Sequence, residues 1–185
     1  MIGLTILGVI VILLAVFLIS VYNSLVQLRQ RVQNAWAQVD VQLKRRYDLI
    51  PNLVGAVKGY AQHEKATLEG VTQARNMAMN AGNIQEQMQA ENMLSSALRS
   101  LFAVAEAYPE LKANTNFMQL QAELTDTESK IAFSRQFYND TVQKFNTKIE
   151  LFPTNLVAGM LGFAMVDYFN LQGEPDARQA VKVEF

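Results

Sequence analysis

An all-α fold is what this sequence predicts: an N-terminal transmembrane helix continuing into an antiparallel bundle of four long helices, followed by a short C-terminal helix and an extended tail. Three observations predict it. No Asp, Glu, Lys or Arg occurs between Met1 and Leu28. Apolar residues then recur at helical spacing for more than a hundred positions, and that pattern is cut by clusters that break helices. The expected segments are residues 1–22 as anchor, 23–150 as bundle, 151–171 as an apolar C-terminal helix that is membrane-proximal or intersubunit, and 172–185 as extended tail.

Ile2 to Val21 is almost wholly aliphatic, and about 20 apolar residues in a helix cross roughly 30 Å of hydrocarbon. A cleaved signal peptide would carry a basic n-region, a shorter apolar run and a small-residue cleavage site. None of these is present, so a retained signal anchor is expected. The first charges after the span are Arg29 and Arg31, and none precedes it. The positive-inside rule then sets the N-terminus outside and the bundle in the cytoplasm, single-pass in a bacterial inner membrane.

Beyond the anchor, Leu25, Leu28, Val32, Trp36, Val39, Leu43 and Ile50 share one helix face. Asp48 is placed to cap a new helix with Pro51 in its first turn, which predicts a turn over Tyr47–Ile50. Val54, Val57, Ala61, Leu68, Val71 and Ala78 form the inner side of the next helix, and Asn80-Ala81-Gly82-Asn83 stops it. A third helix is expected from about Ile84 to Ala107, ending before Tyr108-Pro109-Glu110, and Asn114-Thr115-Asn116 supplies caps for a fourth. In that fourth helix Phe117, Leu124, Ile131, Tyr138 and Phe145 lie seven apart, with Leu120, Thr127, Ser134 and Thr141 between them. The spacing is that of a coiled coil, but the hydroxylic second series describes a face packed within its own chain rather than a free zipper. Leu151 to Val166 is charge-free and broken by Pro153, Gly159 and Gly162. The alternation Val181-Lys182-Val183-Glu184-Phe185 suits a strand.

Composition narrows the functions. Sixteen basic against seventeen acidic residues leave no field for nucleic acid. The absence of cysteine removes disulfides, thiol catalysis and iron–sulfur clusters. His63-Glu64 lacks the second histidine of a zinc helix, since position 67 is Thr67. The acids Glu123, Asp126 and Glu128 have Lys130 and Arg135 within pairing reach. No nucleophile elbow, phosphate loop or dinucleotide fingerprint occurs, so the residues point to no enzyme, no metal and no cofactor.

Two groups remain as candidate interaction residues. Lys44, Arg45 and Arg46 form the one basic cluster, and a straight helix from Tyr22 sets Arg45 about 35 Å away at 1.5 Å per residue, several Debye lengths from a bilayer. A bundle-end or intersubunit role is expected, with salt bridges to neighbouring acids as the plainer alternative. Phe152, Leu156, Met160 and Phe163 belong to the apolar segment that the fourth helix returns to the bilayer, or to a neighbouring subunit.

Tyr22-Asn23-Ser24-Leu25-Val26, Ala35-Trp36 and the run from Asp40 through Arg46-Tyr47-Asp48-Leu49-Ile50-Pro51-Asn52 to Val54 resemble the LemA family of bacterial membrane proteins. Tyr108-Pro109-Glu110-Leu111, Asn116-Phe117, Thr127-Glu128, Arg135, Tyr138-Asn139, Asn146, Phe152-Pro153 and Gly162-Phe163 continue the resemblance in order. It implies an N-terminal membrane helix, a cytoplasmic helical bundle and no established enzymatic activity, with one branch associated with magnetosome membranes. The expected function is a membrane-anchored structural or scaffold protein whose partners are the lipid bilayer and copies of itself. The alternatives are an adaptor for another membrane protein, such as a protease or envelope-stress system, and, less favoured, a pore-forming assembly.

Overall fold

A computed structural model describes residues 2–61 and 63–170. Among them the chain is mostly helical and holds no strand, with helices in the order α1 (Ile2–Lys58), α2 (Lys65–Met79), α3 (Ile84–Glu106), α4 (Pro109–Lys112), α5 (Thr115–Glu150) and α6 (Thr154–Met160). They form two compact units. The first comprises the chain up to Val39 with Ser134–Tyr168, and the second comprises Asp40–Phe133 with Phe169 and Asn170. The strand expected at Val181–Phe185 lies outside the described residues.

In the first unit α1 and α5 run antiparallel: the Trp36 ring meets Tyr138 edge-on, while Tyr22 and Phe145 both meet Phe163. Ile2 through Ser20 are exposed along their whole length, and burial starts at Val21, with Leu25, Val32, Ala35 and Val39 forming the inner stripe. That stripe closes on Tyr138, Val142, Phe145 and Ile149 from α5. The α1 stretch up to Val21 is apolar enough and long enough to cross a membrane, and none of its most apolar window is buried by the rest of the chain.

The second unit is built from the latter part of α1, α2, α3, α4 and the first half of α5. The expected turn over Tyr47–Ile50 is not there: α1 continues to Lys58 with Pro51 inside it. Proline lacks the N–H that would bind the Tyr47 carbonyl one turn earlier. Arg75 on α2 takes that place, its Nε donating to the Tyr47 oxygen at 2.7 Å. The helix breaks instead at Gly59–Tyr60. Asn83 caps α3 by accepting from the Glu86 N–H at 2.8 Å, while Glu86 accepts from Gly82 N–H. Asn114 accepts from Phe117 N–H at the start of α5.

All five residues of the seven-spaced α5 series are buried. The interleaved hydroxyls fit because they bond within their own helix, Thr127 to the Glu123 carbonyl and Thr141 to that of Phe137, so neither enters the core unsatisfied. The helix expected through residue 171 is shorter, ending at Met160. Gly162 adopts φ +72°, open to glycine at no steric cost. Phe163 N–H then returns to the Ala158 carbonyl at 3.0 Å, a Schellman-type stop. From Phe163 the chain is non-helical and doubles back along α5.

Candidate functional site

The basic triplet is divided by its own helix. Val39, Leu43, Arg46, Ile50, Leu53 and Val57 fall on one stripe of α1 and all are buried, so Arg46 takes a core position while Lys44 and Arg45 face outward. Arg46 is 3% exposed, and each guanidinium nitrogen has a destination. Nη1 donates to Glu91 of α3 at 2.8 Å, Nη2 donates to the Ser95 hydroxyl at 3.0 Å, and Nε lies 2.9 Å from Glu128 of α5 as an ion pair. The Tyr47 hydroxyl donates to the other oxygen of Glu91 and accepts from Gln87 at 2.7 Å. Burial, then the charge of Glu91 and the hydrogen bond to it, hold the Tyr47 phenol far above its usual range, so it stays neutral.

This cluster joins α1, α3 and α5 through charge. Its chemistry is structural: the tyrosine is locked protonated, the arginine is permanently charged, and Glu91 spends both oxygens on them. A cleft of about 390 Å³ opens beside it, lined by Ser95, Arg99, Phe102, Gln121, Thr125 and Glu128 among others. No group of three or more His, Cys, Asp or Glu stands close enough to hold a metal among the described residues.

The first unit carries a second polar constellation, made of neutral groups. Asn146 grips the backbone of Val166 from both sides, its Nδ2 donating to the carbonyl at 2.9 Å and its Oδ1 accepting from the N–H at 3.0 Å. The Tyr138 hydroxyl donates to the Asp167 carbonyl at 3.0 Å. Burial first, and Asp167 second, push its pKa up to about 12. Asn146 thus gives the extended segment the pairing a neighbouring strand would give, and an irregular stretch can lie against buried α5 residues with its polar atoms satisfied.

Phe163 sits 9% exposed at the head of that segment, against Tyr22 and Phe145 and under the Arg29 guanidinium, 5.3 Å from its ring centre. The other three apolar candidates point away from the core: Phe152 is 79% exposed, Leu156 61% and Met160 88%. The structure therefore brings Phe152, Leu156 and Met160 together as one exposed patch around α6. It separates them from Phe163, and it separates Arg46 from Lys44 and Arg45.

Glu91, Glu128, Tyr47, Asn146 and Tyr138 were not singled out as site residues by the sequence. One signal was available for Glu91, which precedes Leu94, Leu98, Leu101 and Ala105 at spacings of three, four, three and four and so occupies a core position. An acid on an apolar stripe needs a cation opposite. Arg46 on the α1 stripe is that cation.

The model of the LemA family matches residues 35–185. The chain is similar to protein LemA of Metamycoplasma hominis, at 29% identity over 148 residues, covering 80% of this chain and 68% of that one. It is similar also to magnetosome protein MamQ of Magnetospirillum gryphiswaldense, at 24% over 175 residues with 80% and 64% coverage. Magnetosome protein MamQ 2 of Paramagnetospirillum magneticum stands at 24% over 174 residues, with the same coverage. The chain spans 68%, 64% and 64% of the length of these relatives. With the family model covering residues 35–185, which hold both polar constellations, the chain belongs to the LemA family.

Proposed function

We propose that this chain is a non-enzymatic scaffold of the bacterial cytoplasmic membrane, held by α1 as a single-pass anchor and assembling with copies of itself. The observation that carries the reading is on α5. Phe133 and Phe137 stand one turn apart, 73% and 52% exposed, on a helix whose other exposed positions nearby, such as Gln136, Asp140 and Lys130, are polar. Two aromatic side chains left bare on one helix face are a contact waiting for an apolar partner. The anchor supports the same reading by confining copies to two dimensions. Arg29 and Arg31, directly after the span, favour helical units on the cytoplasmic side. The magnetosome naming of two relatives is consistent with work at a membrane.

The test is co-purification of two differently tagged full-length copies, co-expressed and extracted in mild detergent. One tag is expected to bring down the other, and Phe133→Ser with Phe137→Ser is expected to abolish this while leaving the helical circular dichroism unchanged. Recovery of a different protein in equal amount, with no second copy, would replace self-assembly by the adaptor reading.

A further inference from the structure

We propose that the chain touches the membrane a second time: α6 lies in the headgroup–acyl boundary of the bilayer that α1 crosses, with Phe152, Leu156 and Met160 inserted. The inference rests on reading α1 as a membrane anchor. Everything it uses lies within the first unit.

The position of α6 follows from what its C-terminal turn touches. Phe163, three residues after the end of α6, packs its ring 6.1 Å from that of Tyr22, the residue that follows the apolar span. Three residues of chain reach at most about 11 Å, so α6 ends close to where α1 would leave the hydrocarbon. The direction of α5 agrees. It passes Trp36 at Tyr138 and reaches Phe163 at Phe145, so its last turn heads toward the span. Exposure along α1 marks the same boundary from the other side. Phe17 and Leu18 are 37% and 39% exposed, against 54–80% for the other large apolar residues from Ile2 to Ile19, and Val21 falls to 6%. Protein cover thus begins beside the last turns of the span itself.

The two sides of α6 then differ in what they meet. Thr154, Val157 and Ala158 are buried against the unit, while Phe152, Leu156 and Met160 face out, joined by Leu151, Leu161 and Met165. Residues 151–166 contain no charge. Charges of both signs flank the run, Glu150 and Asp167 at its two ends, Arg29 over Phe163, and Lys144 and Lys148 on the last turns of α5. An apolar outer face with no charge within it is the pattern of an element lying in the bilayer interface. A bilayer is the occupant because the patch continues the surface that α1 already presents to lipid.

The chain has no cysteine, so a single introduced thiol labels one site. Nitroxide-labelled Met160→Cys, Ile10→Cys and Gln38→Cys full-length chains are reconstituted into phosphatidylglycerol–phosphatidylcholine vesicles, and collision with oxygen and with a water-soluble nickel chelate is measured. The label at 160 is expected to collide several-fold more with oxygen than with nickel, as at position 10, while the label at 38 favours nickel. Leu156→Cys should repeat the result for 160. Nickel accessibility at 160 equal to that at 38, with position 10 in lipid, overturns the second contact and leaves the anchor standing. Protection from both reagents, with spin–spin broadening lost on dilution by unlabelled chain, overturns it in favour of a second copy. Nickel accessibility at 10 overturns the anchor reading and this inference together.

Discussion

The two units solve one problem with opposite chemistry. Each must tie separate stretches of chain together through polar groups carried into an apolar interior. The second unit uses ions, with Arg46 held between Glu91 and Glu128. The first uses neutral groups, Asn146 and Tyr138 bonding the backbone of residues 166–167. The partners explain the choice. In the second unit three helices meet with their own backbone bonds made, save at the Tyr47 carbonyl above Pro51, so side chains specify the match. In the first, an extended segment arrives with free N–H and C=O groups, which a carboxamide satisfies two at a time. A charged tie is therefore expected to be the more fragile when halved, because removing one ion strands the other in the core.

That difference sets the order of effects. Glu91→Leu leaves the Arg46 charge without its main partner and is expected to cost about 3–5 kcal/mol in denaturant unfolding. Adding Arg46→Met should restore most of that loss, since the one ion then left, Glu128, is 42% exposed and open to water. A single-variant cost under about 1 kcal/mol would mean the cluster behaves as a surface pair, and the contrast with the first unit would fall.

The neutral tie is exposed by alkali. Free tyrosine ionises near pH 10, whereas folded Tyr138 stays neutral up to about 12. The folded pKa is the higher one, so this stability is full below pH 10 and is lost as pH rises toward 12. The decline attributable to Tyr138 amounts to at most about 3 kcal/mol. Tyr138→Phe should remove that share of the alkaline decline, as read from unfolding at stepped pH. Asn146→Ala is expected to cost about 1–3 kcal/mol, the desolvation of backbone groups left without partners. It should also raise hydrogen exchange at Val166, whereas unchanged exchange there would show that the segment is held without Asn146. Smallest is Arg75→Met. It frees the Tyr47 carbonyl above Pro51 and should cost about 1 kcal/mol, because a half-buried site admits water. Pro51→Ala should make that loss disappear by restoring the N–H.

What could be read in advance divides along physical lines. The α5 series from Phe117 to Phe145 was legible because apolar burial imposes a period on every turn. The stop at Asn80-Ala81-Gly82-Asn83 was legible because its residues act locally. Pro51 misled because the donor that rescues its helix, Arg75, lies on another helix, 28 residues from Tyr47 in the chain. Lys44-Arg45-Arg46 reads as one surface cluster by adjacency, whereas the three-and-four spacing of Leu43, Arg46 and Ile50 assigns the third member to the core. The apolar run after Glu150 was legible in composition. Its division into a short helix and an extended strap depended on a positive φ at Gly162 and on the grip of Asn146, 20 residues back from Val166.

The proposed function requires the full-length chain to assemble with copies of itself. The most direct measurement is the absolute protein mass of the full-length particle in detergent, by light scattering corrected for bound detergent. A defined multiple of 20.8 kDa is expected, reduced by the Phe133→Ser and Phe137→Ser pair. A particle of 20.8 kDa at every protein concentration, unaffected by that pair, would contradict it.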